Sequence, residues 1–159
     1  MSIKRAVISD LNIVKSISEI TISEVYPHYY PKGAVEFFLQ HHSTFNIAND
    51  IKQNRVFLCF DTKQNVVGTV TIKDKEICRL FVLPAYQGKG YGTEILDYAE
   101  KIIAHKHSEI IIDASLPAKR IYHKRGYKEM EFKILPTYHN DFLCYDIMVK
   151  QMRVPVSAD

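Results

Sequence analysis

The chain has 159 residues, 47% of them hydrophobic and 25% charged, which is ordinary for one globular domain with a hydrophobic core. A net charge of +3 is too small to indicate a nucleic-acid-binding surface, and no apolar run approaches the ~20 residues of a membrane span. The opening residues lack the apolar stretch of a secretory signal, and three scattered cysteines form no disulfide or metal pattern. We therefore expect a reduced, cytoplasmic protein.

The first third of the chain predicts one strand and two helices. Residues 3–7 form the strand, and Ser9 can cap a helix that ends where two prolines interrupt residues 26–31. A second helix covers residues 33–42, and the chain from there to residue 53 is either irregular or helical.

Alternation of apolar residues then predicts three antiparallel strands with polar turns between them, at residues 56–60, 66–72 and 76–83. A helix, a strand, a short helix and two final antiparallel strands follow, at residues 93–107, 109–113, 117–125, 127–135 and 142–150. We expect one domain over residues 1–150 and a polar tail over residues 151–159.

The most informative segment is Leu83-Pro-Ala-Tyr-Gln-Gly-Lys-Gly-Tyr-Gly-Thr93, which joins a strand to a helix. A helix N-terminus presents unpaired N–H groups and the positive end of the helix dipole, and glycines let the backbone approach an anion. The order Gly88-Lys89-Gly90 does not fit a P-loop, and the glycine spacing does not fit the Gly-x-Gly-x-x-Gly pattern of dinucleotide sites. The segment therefore predicts a phosphate-binding loop of another kind.

The pattern Gln87-x-x-Gly90-x-Gly92 resembles the acetyl-coenzyme A loop of the GNAT superfamily of N-acetyltransferases. A second segment, which ends in Tyr122-His-Lys-Arg-Gly-Tyr127, resembles the strand–turn–helix of the same superfamily. Ile121 stands where an aromatic residue is more usual, and Ser115 stands near the place where many members have an asparagine. On these two motifs the chain is identified as a member of the superfamily.

The resemblance implies a mixed α/β (α+β) architecture, the GNAT fold, with a twisted and mostly antiparallel sheet of about six to seven strands flanked by about four helices. It implies an acyltransferase that takes acetyl-CoA as acyl-donor cosubstrate, needs no metal, and acts by direct attack of a primary amine in a ternary complex. The acceptor stays open between a small amine, such as a polyamine, amino acid or aminoglycoside, and a protein amine. The alternative is a regulatory module that binds acyl-CoA without catalysis.

The expected partners are acetyl-CoA and an amine acceptor. Neither a nucleic acid nor a membrane is expected as a partner. The apolar final strands are compatible with a homodimer formed by edge pairing or sheet exchange. Because Cys59, Cys78 and Cys144 lie outside both motifs, a route through an acetyl-cysteine is disfavoured.

The resemblance assigns the acetyl-CoA contacts to three groups of residues. The strand before the loop would pair its backbone with the pantetheine arm, at Leu80, Phe81, Val82 and Leu83. The loop would cradle the pyrophosphate, with residues Gln87, Gly88, Lys89, Gly90, Tyr91, Gly92 and Thr93. Around the second motif the candidate contacts are Ser115, Lys119, Tyr122 and Lys124, the two lysines near the 3′-phosphate.

Acetyl transfer needs a neutral amine and a protonated leaving thiolate. A lysine-like amine with a pKa of ~10.4 costs about 4.6 kcal/mol to deprotonate at pH 7, so a general base is useful. The resemblance places Tyr122 beside the coenzyme A sulfur as the acid. The alternative for Tyr122 is a packing role, although Ile121 is the better core candidate by helical face.

Glu76 is the candidate base, because the resemblance extends to some protein-acetylating members that have a catalytic glutamate at the same offset before the loop glutamine. Glu76 opens the strand eleven residues before Gln87, and strict alternation puts it on one face with Cys78, Leu80 and Val82, where desolvation raises a carboxyl pKa. The competing interpretation is a solvated carboxylate at a hairpin end, paired with a neighbouring lysine. Asp113, at the end of the next strand, is a weaker alternative.

The resemblance implies an acceptor site between the first two helices and the last hairpin, where aromatic faces would attract a cationic amine. The candidate residues are Tyr26, His28, Tyr29, Tyr30 and Tyr138. Surface packing of Tyr26 and Tyr30 is equally compatible with the pattern. The histidines show no metal-ligand spacing, so no metal residue is assigned.

Overall fold

Seven strands form one hydrogen-bonded sheet in the computed structural model, which describes residues 1–152. They are β1 (Ser2–Arg5), β2 (Val56–Phe60), β3 (Val66–Lys73), β4 (Glu76–Val82), β5 (Glu109–Ala114), β6 (Lys128–Pro136) and β7 (Phe142–Gln151). Their order across the sheet is β1-β2-β3-β4-β5-β7-β6, and every neighbouring pair is antiparallel except β4 with β5. The predicted mixed, mostly antiparallel sheet is confirmed.

Five α-helices accompany the sheet: α1 (Leu11–Val25), α2 (Lys32–His41), α3 (Thr44–Lys52), α4 (Tyr91–Ala104) and α5 (Leu116–Lys124). The expectation was about four, and α3 adds the fifth in the segment that the sequence left as irregular or helical. Ser43 caps α3, because its Oγ accepts a hydrogen bond of 3.3 Å from the Asn46 N–H.

The start of α1 differs from the expectation that Ser9 caps it. A short 3-10 turn, Ile8–Asp10, precedes the helix, and Asp10 occupies the N-cap position. The Asp10 carboxylate accepts a hydrogen bond of 2.9 Å from the Val7 N–H, so it fixes the turn rather than the helix end. No side chain at the N-cap position of α1 accepts a hydrogen bond from the helix N–H groups, so the expected cap by Ser9 was wrong.

The helices cover both faces of the sheet and divide the core into two clusters. On one face α4 and α5 pack on the sheet through Ile95, Ala99, Ile103 and Tyr122. On the other face α1, α2 and α3 pack through Val14, Ile22, Ala34, Ile47 and Ile51. The end of β4 contributes to both clusters, with Val82 in the first and Phe81 in the second.

The two parallel strands, β4 and β5, pair at only two positions. Glu76 stands opposite Ile111 and Ile77 opposite Ile112, and beyond them the strands separate. Residues 78–82 of β4 and residues 113–114 of β5 therefore do not pair with each other. The separation opens the middle of the sheet toward the glycine-rich loop.

A β-bulge changes the faces of β4 at the same place. Arg79 pairs with Thr71 and Ile77 with Ile72, which leaves Cys78 as the extra residue on β4. Ile77 and Val82 belong to the same core cluster although five positions separate them, so the alternation reverses between them. Glu76 thus faces the α1–α3 side, opposite to Leu80 and Val82, and the expectation of one shared face was wrong.

The predicted polar tail, residues 151–159, falls mostly outside the described residues. Gln151 is the last residue of β7, and the Met152 N–H donates a hydrogen bond of 2.7 Å to the Ser108 carbonyl. Residues 153–159 lie outside the described part of the chain. Among the helices of residues 1–152, none is long and apolar enough to cross a membrane.

Candidate active site

A cleft of about 640 Å³ runs from the glycine-rich loop into the gap between β4 and β5. The α4 and α5 side of the cleft is lined by Gln87, Gly88, Gly90, Gly92, Thr93, Leu96, Ser115, Pro117, Ala118, Ile121 and Tyr122. The strands supply Ile77, Cys78, Leu80, Phe81, Val82, Ile112, Asp113, Leu135, Leu143 and Tyr145. The opposite wall comes from Thr21, Val25, Tyr26, Phe37, Phe38, His41 and His42.

The loop presents a run of free backbone donors at the start of α4. Within residues 1–152, no protein group accepts the N–H groups of residues 88–93. Gly88 and Gly90 have positive φ angles of 73° and 90°, a conformation that side chains disfavour, and a Cβ at either position would meet no protein atom within 4 Å. Open space beside unpaired donors at a helix N-terminus suits a phosphate-bearing ligand.

The side chain of Gln87 connects the loop to the end of β4. Its Nε2 donates a hydrogen bond of 2.9 Å to the carbonyl of Val82, the last residue of β4. The Thr21 hydroxyl, on α1, lies 3.4 Å from the same carbonyl. Gln87 therefore fixes the end of the strand relative to the helix N-terminus.

Tyr122 lies on the cleft wall with a hydroxyl that no described residue binds. The side chain is 5% exposed, and burial raises its pKa above the usual value for tyrosine. Among the described residues, the side-chain oxygen and nitrogen atoms that are both fully buried and without a hydrogen-bond partner are Ser2 Oγ and Thr137 Oγ1. The Tyr122 hydroxyl is not one of them, so it is accessible from the cleft. Ile121, expected to be the core residue of this helix, is 53% exposed, and that expectation was wrong.

Two carboxylates lie near the gap, Glu76 on β4 and Asp113 on β5. Asp113, beyond the last β4–β5 pair, lines the cleft with an exposed side chain, and desolvation together with the charge of Glu76 raises its pKa. Glu76 is half-buried and does not line the cleft. The structure thus gives Asp113, the weaker candidate by sequence, the better position for a base.

Cys78 also lines the cleft, because the bulge turns it toward the gap. Burial and the neighbouring charge of Glu76 raise the pKa of its thiol to about 12. A thiol of that kind is protonated at neutral pH and is a poor nucleophile. Of the other two cysteines, Cys59 is buried in the core and Cys144 is half-buried, and all three are free thiols.

A family model of the acetyltransferase (GNAT) domain matches residues 25–138, which include both motifs and most of the cleft. The chain belongs to the GNAT acetyltransferase family. A comparison with curated proteins gave no match.

Solved GNAT structures share the fold. A GCN5-related N-acetyltransferase from Rhodopseudomonas palustris aligns over 95% of each chain with a TM-score of 0.85 and 21% identity. The PaiA N-acetyltransferase of Thermoplasma acidophilum, solved in complex with coenzyme A, covers 94% of this chain and 98% of its own, with a TM-score of 0.69 and 23% identity. The yncA protein of Salmonella typhimurium, solved with acetyl-CoA, covers 100% and 98%, with a TM-score of 0.72 and 15% identity.

The structure distributes the remaining predicted cofactor residues of this GNAT domain unevenly. Leu80, Phe81 and Val82 line the cleft, whereas the Leu83 N–H is bound to the Val67 carbonyl at 2.9 Å. Lys89 is turned back on its own loop, where its Nζ donates to the Ala85 carbonyl at 2.8 Å. Tyr91 is the first residue of α4 and packs on Tyr86, with ring centroids 6.0 Å apart.

The two lysines of α5 have different surroundings. Lys119 Nζ lies 2.7 Å from Asp146 Oδ2 and 3.2 Å from Glu129 Oε1, and the bond to Asp146 is the main cause of its raised pKa. Lys124 is exposed, and among the described residues it has no acidic partner. Lys119 is thus engaged in holding α5 to β7, and Lys124 is available to a ligand.

Two of the five predicted acceptor residues, Tyr26 and Tyr30, are buried and contact the start of α5. Tyr26 is 7% exposed and lines it, and the Tyr26 hydroxyl lies 3.4 Å from Ser115 Oγ. Tyr30 is 6% exposed, and its hydroxyl accepts a hydrogen bond of 2.7 Å from the Leu116 N–H. Burial raises the pKa of both hydroxyls.

The other three, His28, Tyr29 and Tyr138, are exposed and lie outside the cleft. The Tyr138 hydroxyl contacts Gln40 on α2. His28 and Tyr29 belong to the turn that follows α1, whose buried tyrosines face inward while these two face outward.

Sequence reasoning missed the part of the cleft wall that is formed by the end of α2. Phe37, Phe38, His41 and His42 all line the cleft, and the His42 ring packs edge-on against Phe81 with centroids 5.2 Å apart. A histidine pair at a helix end carries no chemical pattern of its own, so only the three-dimensional neighbours reveal it. Over residues 1–152, no group of three or more metal-ligand side chains is arranged around a common point.

Proposed function

We propose that this protein transfers an acetyl group from acetyl-CoA to a primary amine by direct attack in a ternary complex. The observation that carries the proposal is the continuity of one cleft, which joins the free N–H groups of residues 88–93, the β4–β5 gap and the Tyr122 hydroxyl. Two relatives of the same fold were solved with coenzyme A or acetyl-CoA, which supports the same ligand class here.

The residues present suit acetyl-CoA in shape and charge. The open space beside Gly88 and Gly90 leaves room for a pyrophosphate against the start of α4. Residues 78–82 of β4, which do not pair with β5, offer backbone donors and acceptors to an amide-containing arm. When bound, acetyl-CoA would supply a thioester whose carbonyl carbon accepts the amine and whose sulfur leaves.

Asp113 is the proposed general base. As a carboxylate it takes the proton that the acceptor ammonium gives up, so that the neutral nitrogen forms the bond to the acetyl carbon while the carbon–sulfur bond breaks. Its raised pKa makes it a stronger base than an ordinary aspartate. Glu76 contributes its negative charge from behind, since that charge is one cause of the shift.

Tyr122 is the proposed general acid. Its hydroxyl has no protein partner among the described residues, so it is free to give its proton to the sulfur as the thiolate leaves. The burial that raises the pKa of Tyr122 would also raise that of a thiol formed beside it, which keeps the transfer close to balanced. The second proton, which the attacking nitrogen loses as the amide forms, restores the tyrosinate to tyrosine. Asp113 releases the first proton to solvent, so one proton leaves for each ammonium consumed.

Calorimetric titration with acetyl-CoA tests the first step, with ATP and NAD as controls. Thiol release in the presence of a panel of primary amines then tests the chemistry. We expect Tyr122→Phe to bind acetyl-CoA with unchanged affinity and to lose turnover by ~10²–10⁴-fold. Tyr98→Phe is the matched control, because Tyr98 lies on α4 outside the cleft and packs against Phe57 of β2.

The outcomes separate the alternatives. Binding of acetyl-CoA without turnover of any amine would favour the non-catalytic acyl-CoA-binding module. A Tyr122→Phe enzyme that keeps wild-type turnover would remove Tyr122 from the mechanism. No binding of acetyl-CoA at all would overturn the proposed function and leave residues 88–93 as a structural turn.

A further inference from the structure

The buried side chain of Arg79 fixes the tautomer of His42. Arg79 is 4% exposed, and its Nε donates a hydrogen bond of 3.1 Å to Nδ1 of His42. Its two other nitrogens donate to Thr71 Oγ1 at 2.6 Å and to Asp50 Oδ2 at 3.3 Å. Since a guanidinium has no acceptor, Nδ1 of His42 must be the unprotonated nitrogen, and the ring proton is therefore on Nε2.

The Nε2–H group of His42 is an unused donor in the cleft. His42 is 6% exposed and lines the cleft, and none of the described residues accepts a hydrogen bond from its Nε2. This nitrogen is also not among the fully buried polar atoms without a partner, so it is accessible from the cavity. A buried donor held in one orientation and left without a protein acceptor is suited to an oxygen of a ligand.

The surroundings of His42 favour a negatively charged oxygen. One buried carboxylate, Asp50, serves three cations, with Arg79 at 3.3 Å, Lys73 at 3.1 Å and Arg55 at 3.9 Å. Even with half-buried Glu76 counted, the cluster keeps a net positive charge. Burial and the charges of Arg79 and Lys73 lower the pKa of both His41 and His42, which is consistent with a positive potential at this end of the cleft.

The same cavity is also lined by Asp113, the proposed base, which lies on β5. The cleft thus offers a carboxylate for an amine and, separately, a fixed N–H donor in a positive environment. An acceptor that carries both an amine and a carboxylate would satisfy both groups. A simple diamine would place a cation beside the positive cluster or leave the His42 donor unpaired.

We propose that His42 is a specificity-determining residue, and that the acceptor is an amino acid whose carboxylate accepts a hydrogen bond from His42 Nε2. The proposal rests on the acetyltransferase function proposed above. Arg79 is a positioning residue, because it acts through His42.

The test uses matched pairs of acceptors at saturating acetyl-CoA: tyrosine with tyramine, phenylalanine with phenethylamine, lysine with cadaverine. The amide of each amino acid keeps a neutral carbonyl in place of the carboxylate. We expect kcat/KM to be about 10- to 100-fold higher for at least one amino acid than for its decarboxylated partner, as for a hydrogen bond to a charged group. Amides are expected in between.

Variants connect the preference to His42. His42→Phe is expected to remove the preference for the carboxylate, and His42→Gln, which keeps an N–H donor, to restore part of it. Arg79→Lys is expected to raise KM for the amino acid with a smaller change in kcat, since it frees the tautomer of His42. His105→Phe is the control, because His105 is exposed and outside the cleft. Thermal unfolding and the acetyl-CoA Kd report whether each variant folds.

Decarboxylated amines that are acetylated as well as, or better than, their amino acids would overturn this proposal and leave the acetyltransferase function standing. A folded His42→Phe enzyme that keeps the full preference would overturn it as well. Absence of thiol release with every acceptor would instead count against the proposed function itself.

Discussion

The hydroxyl of Tyr30 accepts a hydrogen bond of 2.7 Å from the backbone N–H of Leu116. This bond links the turn after α1 to the first residue of α5, 86 positions away in sequence. Leu116 begins the helix that carries Tyr122, so the aromatic segment supports the catalytic candidate from the opposite wall. Tyr26 reinforces the link through Ser115 Oγ at 3.4 Å.

Removing the Tyr30 hydroxyl should cost stability. In Tyr30→Phe the Leu116 N–H loses its partner in a part-buried place, and we expect the free energy of unfolding to fall by roughly 1–3 kcal/mol. Urea unfolding measures the change. Tyr29→Phe is the control, because Tyr29 is 52% exposed, and an equal loss in both variants would contradict the prediction.

Gly90→Ala should weaken binding of acetyl-CoA. At φ 90° an alanine is strained by ~1–2 kcal/mol, and relief of the strain would rotate the free N–H groups away from the ligand. Gly126→Ala is matched, because Gly126 has φ 87° and open space around it but ends α5 outside the cleft. Both variants should lose similar stability, and calorimetry should show a raised Kd only for Gly90→Ala.

The pH dependence of turnover should report Asp113. The base must be ionised, and because its pKa is raised, kcat should fall with decreasing pH at a value above the ~3.9 of an ordinary aspartate. Asp113→Asn should remove this acid limb together with most of the activity. A wild-type limb that persists in Asp113→Asn would assign it to another group, with Glu76→Gln as the next variant.

The raised pKa of Asp113 also predicts that its ionised carboxylate destabilises the folded protein, although the same ionised form is needed for activity. A carboxyl whose folded pKa lies above its unfolded pKa contributes stability below the unfolded value, and the contribution is lost as pH rises through the folded value. Asp113→Asn should therefore raise the melting temperature at pH 7, and the gain should disappear below about pH 3.9. A loss of stability at pH 7 would contradict the raised pKa.

The two lysines of α5 should separate stability from binding. Lys119→Ala leaves the buried Asp146 without its cation at 2.7 Å and should lower the free energy of unfolding by roughly 1–3 kcal/mol. Lys124→Ala should leave stability unchanged and weaken acetyl-CoA binding severalfold, more at low salt. Dephospho-coenzyme A, which lacks the 3′-phosphate, should bind wild type and Lys124→Ala equally.

The parts of the site that the sequence predicted correctly depend on local rules. The glycine-rich turn and the helix that starts beside it follow from residues within a few positions of each other. The mixed sheet followed from the alternation of short apolar segments and from the resemblance of two motifs. The roles of the loop and Tyr122 in catalysis stay predictions.

The misplaced parts depend on distant neighbours. The bulge at Cys78 arises from pairing with β3, and it moved Glu76 off the face that strict alternation gave it. Tyr122 is buried because it belongs to a core cluster with residues of α4, β5 and β7, such as Ile95, Ile112 and Met148, whereas Ile121 is exposed. The Arg79–His42 contact joins positions 37 apart, and no local pattern signals it.

The β4–β5 gap has a mechanical consequence. The four strands from β1 to β4 and the three strands β5, β7 and β6 meet through only two residue pairs, at Glu76 and Ile77. A ligand arm that contains amides and lies along the gap would hydrogen-bond to both β4 and β5, and would thereby hold the two groups of strands together. Ligand binding should then slow amide hydrogen exchange in β3 and β7, strands that flank the gap on either side, and not in the edge strands β1 and β6.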